Sequence, residues 1–407
     1  MAVSATPWGC SLSKVRSTII ERHQYPLRFH IARTQQTMST SNYFQRLKKI
    51  PVGTTVIAGP CSAENEDQIL VTARSLQRLD VGLFRAGVWK PRTRPGAFEG
   101  CGEIALSWLT KARQETGIPI AVEVANAKHA EAALRAQVDV LWIGARTTVN
   151  PFAVQEIAEA IRGVDIPVMV KNPVNPELML WLGAIERLQE AGCQDIAAIL
   201  RGFSCLSTGR WRNEPLWQIA IDLRQHLPGI PLFCDPSHIA GRSDGVAEIA
   251  QEALNLDFDG LMIEAHCCPE QAVSDAAQQL RPEDLGAILA KLVVRQRTSD
   301  PGSACQQRLL ELRTEIDSLD AALVTTMARR MAVSRAIGDL KRANNLTVLQ
   351  RSRWEQVLNR ARAEAERLGL SVKLIEDVFK LLHQESINLQ QQILKNDGDA
   401  PQSPRQP

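Results

Sequence analysis

Side chains able to bind a metal ion follow several short apolar runs in the first 300 residues. Cys61 and His238 come directly after two such runs, Glu264 ends a third, and Asp275 lies in the next loop. One thiolate, one imidazole and two carboxylates suit a divalent transition ion such as Mn, Fe, Co or Zn, and do not suit Ca or Mg alone. With four ligands and an open position, such an ion can polarise a carbonyl group. The sequence therefore predicts a metal site at these four residues.

Cationic side chains stand at the ends of the same apolar runs. Six of them would converge if the runs are parallel strands of one sheet: Arg85, Lys90, Arg92, Arg146, Lys171 and Arg201. Arginine suits phosphate and carboxylate groups, and lysine acts as a point charge. Because six cations repel one another unless anions separate them, we expect substrates with several negative charges. The alternative, in which each cation pairs with a local acid on a helix, is less favoured for six residues at equivalent positions.

The elements that position these residues are eight apolar, β-branched runs separated by amphipathic helical stretches. The predicted strands cover residues 54–59, 81–87, 118–124, 140–145, 166–171, 196–201, 230–235 and 260–264. Apolar strands that alternate with helices are typical of a parallel sheet, and eight such units close a (β/α)8 barrel of the α/β class. The active site of this barrel lies at the carboxyl ends of its strands. We expect the barrel to cover residues 44–295.

The chain changes character after a predicted linker at residues 296–304. No proline occurs between Pro301 and Pro401, and residues 305–395 are rich in Leu, Ala, Arg, Glu and Gln. Apolar residues spaced by three and four predict three helices over about 305–342, 350–368 and 371–394. At 1.5 Å per residue the first would be roughly 57 Å long, too long for two shorter helices to cover. We therefore expect a homodimer formed through this all-α module.

Seven motifs of the barrel region resemble those of 3-deoxy-D-arabino-heptulosonate 7-phosphate (DAHP) synthase, in its compact type I branch. They are GPCSAENEDQ, FRAGVWKPRTRPGAFEG, WIGAR, VMVKNP, LRGFS, CDPSHIAGRS and MIEAHCCPEQAVSDAAQQL. The resemblance implies condensation of phosphoenolpyruvate with erythrose 4-phosphate at a metal held by Cys61, His238, Glu264 and Asp275. It assigns phosphoenolpyruvate to Arg85, Lys90, Arg146, Lys171 and Arg201. It assigns erythrose 4-phosphate to Arg92 and Thr93.

Lys90 is our candidate for the general acid/base, because a lysine surrounded by cations should have a lowered pKa. A related alternative is the sister enzyme that condenses phosphoenolpyruvate with arabinose 5-phosphate. That family has an Asn-rich segment after the equivalent lysine. Here Pro91, Arg92 and Thr93 follow Lys90, which favours the four-carbon sugar.

The other histidines have weaker indications of function. His266 lies two residues after Glu264, on the same face of a strand, and we expect it to orient Glu264 or a substrate. His129, His226 and His383 have no comparable setting.

The segment from LLELRTEIDSLD to LLHQESINLQQQ resembles the all-helical chorismate mutase. On one helix, Arg330 and Lys341 share a face roughly 16 Å apart, whereas Arg313 is turned away by roughly 100° and reaches such a pocket only across an antiparallel dimer. The resemblance implies rearrangement of chorismate to prephenate without a cofactor. It assigns the substrate to Arg313 of the other chain, Arg330, Lys341, Arg353, Ser386 and Gln390, with Lys341 and Gln390 stabilising the ether oxygen.

Two positions depart from the mutase pattern. Gln350 stands where many relatives have Asp, and Trp354 stands where many have a Glu that helps to hold the substrate hydroxyl.

Three hypotheses for the function of the whole chain remain. The favoured one is a bifunctional enzyme; the others are a synthase whose helical module senses chorismate or prephenate and regulates the barrel, and a non-catalytic scaffold.

Composition and the chain ends limit which other classes of function the sequence allows. A formal charge of +2 and a pI of about 8.1 argue against a nucleic-acid binder, and no apolar stretch is long enough to cross a membrane. Nine scattered cysteines without a secretory signal favour the cytoplasm. Residues 1–43 are expected to be an extension and 396–407 a disordered tail. The basic segment 1–37 fits a disordered extension or a start at Met38 better than an organelle-targeting peptide.

Overall fold

The computed structural model describes residues 42–91, 96–205 and 209–395. These residues form two compact units, which divide between Arg295 and Gln296. Parallel strands of the first unit close into a barrel, in which each strand pairs with the next along the chain and the last pairs with the first. The strands are β1 Thr55–Gly59, β2 Leu83–Ala86, β3 Ile120–Val124, β4 Val140–Ile143, β5 Val168–Lys171, β6 Ile196–Leu200, β7 Leu232–Cys234 and β8 Gly260–Glu264. The predicted (β/α)8 fold is confirmed.

Four strands, β2, β3, β5 and β7, begin two residues later than predicted, and proline explains the difference for the last three. Pro119, Pro167 and Pro231 each stand directly before β3, β5 or β7. Proline has no N–H to donate to a strand ladder, so regular pairing starts after it. The carbonyl oxygens of these prolines still accept hydrogen bonds from the preceding strands, so each chain segment enters the sheet at a defined register.

Helices and short turns connect the strands. The α-helices of the first unit are α1 Tyr43–Arg46, α2 Glu66–Gln77, α3 Ile104–Thr116, α4 Ala127–Arg135, α5 Ala145–Thr148, α6 Pro151–Ala160, α7 Leu178–Glu190, α8 Trp217–His226, α9 Pro236–Ala240, α10 Val246–Asn255 and α11 Pro282–Leu289. Short 3-10 helices cover Ser243–Gly245, Pro269–Gln271 and Ala276–Gln278. Most of these helices carry one buried apolar stripe that packs against the outside of the sheet.

The interior of the barrel is a packed core. Phe44 of α1 packs edge-on against Phe233 of β7, with ring centroids 6.1 Å apart. Alternate strand residues such as Ile57, Trp142 and Met262 fill the space above them, while their neighbours face the helices. The described side chains therefore fill the interior of the barrel, and functional side chains are confined to the strand ends.

The second unit consists of α12 Ala304–Ala343, α13 Arg351–Arg367 and α14 Val372–Lys395. These bounds lie within two residues of those expected from apolar periodicity. Both α12 and α13 pack against α14. Among the helices of the described residues, none combines the length and apolar character needed to cross a membrane.

Candidate active sites

The carboxyl ends of the strands enclose a cavity, which we call the barrel-mouth cavity. Its lining residues are Lys90, Pro91, Glu123, Ala145, Arg146, Lys171, Val174, Arg201, Arg212, His238 and Asp275. Four of the six predicted cations and two of the four predicted metal ligands are therefore in one place. Arg92 and Thr93, which were expected to bind erythrose 4-phosphate, lie outside the described residues.

Two of the predicted cations are buried and have carboxylate partners. Arg85 of β2 lies 3.1 Å from Glu264 of β8, and the two side chains are 1% and 0% exposed. Lys171 at the end of β5 lies 2.6 Å from Asp235, which follows β7. Barrel closure brings acids from other strands against these two residues, a pairing that was not predicted. The acids come from strand ends rather than from helices.

Arg201 contacts uncharged groups. Its Nη1 donates to the side-chain oxygen of Asn213, at 2.9 Å, and to the carbonyl of Gly202. Burial, with Arg146 and Arg212 nearby, lowers the pKa of Arg201 to about 10 despite the opposing effect of Asp235. Crowded cations of this kind favour a bound anion on electrostatic grounds.

The four predicted metal ligands meet in two pairs. Cys61 Sγ lies 3.3 Å from Asp275 Oδ2, and His238 Nε2 lies 3.7 Å from Glu264 Oε1. Bonds from a transition ion to nitrogen, oxygen and sulfur are about 2.0–2.3 Å long, so these separations would allow the four residues to hold such an ion, which would supply a Lewis acid. Within the described ranges, no three His, Cys, Asp or Glu side chains are gathered into a closed metal-binding group. The Nζ atom of Lys90 lies 3.1 Å from Cys61 Sγ.

The pKa values of these four groups depend on their burial and on one another. Burial and Glu264 raise the pKa of Cys61 to about 12. Burial lowers the pKa of His238, which leaves a neutral imidazole at neutral pH. Burial alone would raise the pKa values of Asp275 and Glu264. The attraction of His238 and the neighbouring cations outweighs burial, so both pKa values lie below their ordinary values. A neutral imidazole and two ionised carboxylates are the forms that bind metals, whereas the thiol must release a proton to do so.

The expected lowering of the Lys90 pKa is wrong. Burial does lower it, but Cys61, Glu123 and Glu264 raise it by more, so the pKa of Lys90 lies above its ordinary value. The sequence shows the cations that precede and follow Lys90, but not the acids that other strands bring to it. At neutral pH this side chain therefore carries a proton.

Two acids of the barrel mouth had no predicted role. Asp235 Oδ2 lies 2.8 Å from His238 Nδ1 as well as 2.6 Å from Lys171, so it holds both side chains in place. Its position three residues before His238, directly after a strand, was a usable signal. Glu123 of β3 also lines the cavity and raises the pKa of Lys90. It had no comparable signal, because it stands inside an apolar strand.

His266 does not orient Glu264 as expected. Its Nε2 lies 3.6 Å from the carboxylate of Glu64, and its Nδ1 accepts a hydrogen bond from the backbone N–H of Cys268. Glu264 is contacted instead by Gln278, whose Nε2 donates to Oε2 at 2.7 Å. Gln278, in the 3-10 helix Ala276–Gln278 and 14 residues after Glu264, thus takes the position that His266 was expected to have.

The second unit contains a separate cavity of about 480 Å³, which we call the helical cavity. Its lining residues are Arg330, Val333, Ser334, Ile337, Lys341, Val348, Gln350, Arg353, Trp354, Val357, His383, Ser386, Ile387 and Gln390. Five of the six predicted chorismate contacts are among them. The sixth, Arg313, lines a different depression near the start of α12. Among the residues that the structure describes, no Asp or Glu lines the helical cavity.

Polar contacts hold the functional groups of the helical cavity in place. Arg330 Nη1 donates to Ser386 Oγ at 2.9 Å, and Lys341 Nζ donates to Gln390 Oε1 at 3.0 Å. The amide of Gln390 donates in turn to Ser334 Oγ at 3.1 Å. Burial lowers the pKa of both Arg330 and Lys341. Two cations kept partly from water and facing uncharged oxygens form a site for an anion.

Family models match both units. The DAHP synthetase I family model matches residues 51–298, which is more than half of the chain, and the chorismate mutase type II model matches residues 312–391. The chain belongs to the DAHP synthetase I family. It carries this domain fused to a chorismate mutase type II domain, as the motifs predicted. Both families are families of enzymes.

Individual relatives support this family assignment. Phospho-2-dehydro-3-deoxyheptonate aldolase of Thermotoga maritima is 31% identical over 231 residues, covering 56% of this chain and 65% of the relative. A crystal structure of DAHP synthase from the same organism superposes with a TM-score of 0.53 at 29% identity, covering 58% of this chain and 68% of the other. 2-Dehydro-3-deoxyphosphooctonate aldolase of Synechococcus sp. is 28% identical, covering 61% of this chain and 90% of the relative. The chain thus spans slightly less than two thirds of the Thermotoga relative.

Proposed function

We propose that the barrel condenses phosphoenolpyruvate, erythrose 4-phosphate and water to DAHP and phosphate. Carbon 3 of phosphoenolpyruvate bonds to the aldehyde carbon, water adds at carbon 2, and phosphate leaves from carbon 2. The observation that carries this proposal is that four predicted substrate-binding cations line one cavity with His238 and Asp275. Both substrates are phosphorylated, and a wall of guanidinium and ammonium groups offsets their mutual repulsion.

The proposal includes a divalent transition ion, Mn, Fe, Co or Zn, held by Cys61, His238, Glu264 and Asp275. The paired separations fit such an ion, as do the neutral imidazole and the two ionised carboxylates, whereas the Cys61 thiol would lose its proton on binding. When bound, the ion supplies a Lewis acid that draws electron density from the aldehyde oxygen.

The protein's own contribution is to position the substrates and to hold a proton. Lys90 Nζ is hydrogen-bonded to the carbonyl of Cys61 and to its sulfur, at 3.0 and 3.1 Å. Its raised pKa keeps it protonated, so it acts as the acid that donates to the aldehyde oxygen as carbon 3 of phosphoenolpyruvate attacks. Lys90→Met should abolish turnover while leaving metal uptake intact, and the exposed Lys111→Met serves as its control. Retained turnover in Lys90→Met would refute the role.

An assay with two sugars tests the barrel function. The full-length chain, loaded with Mn, is incubated with phosphoenolpyruvate and either erythrose 4-phosphate or arabinose 5-phosphate, and phosphate release is measured. We expect release with the four-carbon sugar only. The second sugar is a genuine competitor, because octonate aldolases are among the relatives. Faster release with arabinose 5-phosphate would overturn the choice of substrate.

We further propose that the helical unit rearranges chorismate to prephenate. The supporting observation is a cavity that presents Arg330, Lys341 and Arg353 without a carboxylate in the described lining. The arginines suit the two carboxylates of chorismate, and Lys341 with Gln390 stabilises the ether oxygen as negative charge develops there. Disappearance of chorismate in the presence of the full-length chain tests this function. Binding of chorismate without its disappearance would favour the regulatory alternative, in which the module senses chorismate or prephenate.

The proposal also covers assembly and location. We propose a homodimer through the helical unit, with Arg313 of one chain entering the helical cavity of the other. This is supported by a row of exposed apolar residues on α12, among them Ile316, Leu319 and Leu323, which are at least half exposed. The eight cysteines within the described ranges are all free, which fits the cytoplasm.

A further inference from the structure

Trp354 and His383 form a stacked pair in the wall of the helical cavity. Their ring centroids are 4.0 Å apart and their planes differ by 13°. His383 precedes Ser386 by three residues and Gln390 by seven, so all three side chains lie on one face of α14. The imidazole is therefore presented to the same space as the groups proposed to hold the ligand.

A second stacked pair, in the barrel unit, differs from Trp354 and His383 in the hydrogen bonds that its histidine forms. Trp89 and His129 stack with centroids 4.2 Å apart. There the His129 nitrogens are engaged locally, since Nδ1 accepts from the backbone N–H of Ala125 and Nε2 lies 3.3 Å from the amide nitrogen of Asn126. Within the described residues no group forms a hydrogen bond with the imidazole of His383. Its two nitrogens are left for a ligand.

Among the described residues that line the helical cavity, every charged group beside His383 is positive. Helix α12 presents Arg330 and Lys341, α13 presents Arg353, and the cavity lining contributed by α14 includes no other charged group. Burial, Arg330 and Lys341 lower the pKa of His383. A dianion placed among these cations cancels their field, so a proton on the imidazole becomes favourable.

We propose that His383 contacts the ligand of the helical cavity and takes up one proton from solvent when a dicarboxylate binds there. No bond of the ligand forms or breaks in this step; the proton is added to a ring nitrogen, and Trp354 fixes the plane of the ring. The inference rests on the proposed mutase function, since chorismate and prephenate are dicarboxylates. Affinity should fall as pH rises between the pKa of His383 in the free chain and its higher pKa in the complex, by at most about tenfold per pH unit.

Calorimetric titration of the full-length chain with prephenate tests the inference. The titration is run at the same near-neutral pH in phosphate and in Tris, whose ionisation enthalpies differ, so the difference in heat gives the number of protons taken up. We expect a measurable fraction of one proton per site for the unmodified chain and none for His383→Asn. His226→Asn, which alters an exposed histidine of the barrel unit, should behave like the unmodified chain.

Three outcomes decide the matter. Absence of proton uptake by the unmodified chain, or the same uptake in His383→Asn, overturns the inference and leaves the mutase proposal standing. Failure of prephenate to bind the unmodified chain overturns the mutase proposal and the inference with it. If His383→Asn loses helical circular dichroism, His383→Gln replaces it with the same expected result.

Discussion

The barrel mouth and the helical cavity both gather cations, but the two sites balance that charge differently. In the barrel, Arg85 and Lys171 are buried and each lies within 3.1 Å of a buried carboxylate, Glu264 or Asp235. In the helical cavity, the described contacts of the cations run to backbone carbonyls, a hydroxyl and an amide. For Arg85 and Lys171 the barrel thus supplies the countercharge, whereas the charge of the helical-cavity cations is left for a ligand to balance.

The difference follows from access to water. A charge inside a closed barrel needs a partner, because leaving one buried charge uncompensated is destabilising by about 3–5 kcal/mol. In the helical cavity, Arg330 and Arg353 keep contact with water and tolerate the absence of a carboxylate partner. The buried Lys341 donates to the neutral oxygen of Gln390. Buried charge in the barrel is therefore partly balanced before the substrates arrive, whereas the charge of the helical cavity is balanced only when its ligand binds.

Removal of divalent metal should produce the largest difference between the activities of the two sites. We expect condensation to fall by about 1000-fold or more, because a bound Lewis acid is worth several kcal/mol in the transition state. The mutase reaction needs no ion and should keep its rate. Both rates are measured on one sample before and after dialysis against EDTA and after adding Mn back. Equal losses of the two activities would contradict the expected difference between the two sites.

Replacement of Lys341 should have the next largest effect. In Lys341→Ala we expect the mutase rate to fall by about 100- to 1000-fold, since the ether oxygen loses a charged donor. Condensation should stay within experimental error of the unmodified chain. Lys373→Ala, an exposed change on the same unit, controls for general effects on the helices. A mutase rate within twofold of normal in Lys341→Ala would remove this residue from the reaction.

Asp235→Asn should slow condensation by about 10- to 100-fold. The carboxylate holds both Lys171 and His238, and loss of such an orienting group typically has an effect of this size. The readouts are condensation kinetics and the Mn dissociation constant, which should rise. The exposed Asp67→Asn is the matched control. Unchanged metal affinity together with unchanged kinetics would contradict a positioning role.

The same variant should show a pH-dependent difference in stability. His238 and Lys171 overcome the effect of burial and hold the pKa of Asp235 well below its ordinary value of 3.8. A carboxyl with a depressed pKa stabilises the fold above 3.8 and loses that contribution as pH falls toward its value in the folded state. The free energy of unfolding should be about 1–3 kcal/mol lower in Asp235→Asn at neutral pH. Urea titrations at several pH values should show this gap narrowing below pH 3.8; a constant gap would assign it to packing.

Arg353→Ala should have the smallest effect. Arg353 is exposed, so water and salt screen its attraction for a carboxylate. We expect the KM for chorismate to rise by up to about fivefold with little change in kcat. Chorismate kinetics at low and high salt provide the measurement. A fall of 100-fold in kcat would show that the helical cavity is more enclosed in the working enzyme than in this structure.

Sequence reasoning succeeded where the relevant signal is local. The strand runs and their intervening helices were predicted in order, because apolar periodicity depends on neighbouring residues alone. It failed for Lys90, whose pKa is raised by Glu123 and Glu264, acids that lie 33 and 174 residues away along the chain. It also assigned no setting to His383, because its stacking partner Trp354 lies on a different helix.

The sequence by itself determined the order of strands and helices, the delayed start of β3, β5 and β7 after proline, and the placement of cations at strand ends. These properties follow from backbone chemistry and short-range spacing. Only the tertiary structure decided which charges meet: closure of the barrel sets Arg85 against Glu264, and packing of α13 on α14 sets Trp354 against His383. Electrostatic and stacking interactions act over a few ångströms in space, whatever the separation of their partners along the chain.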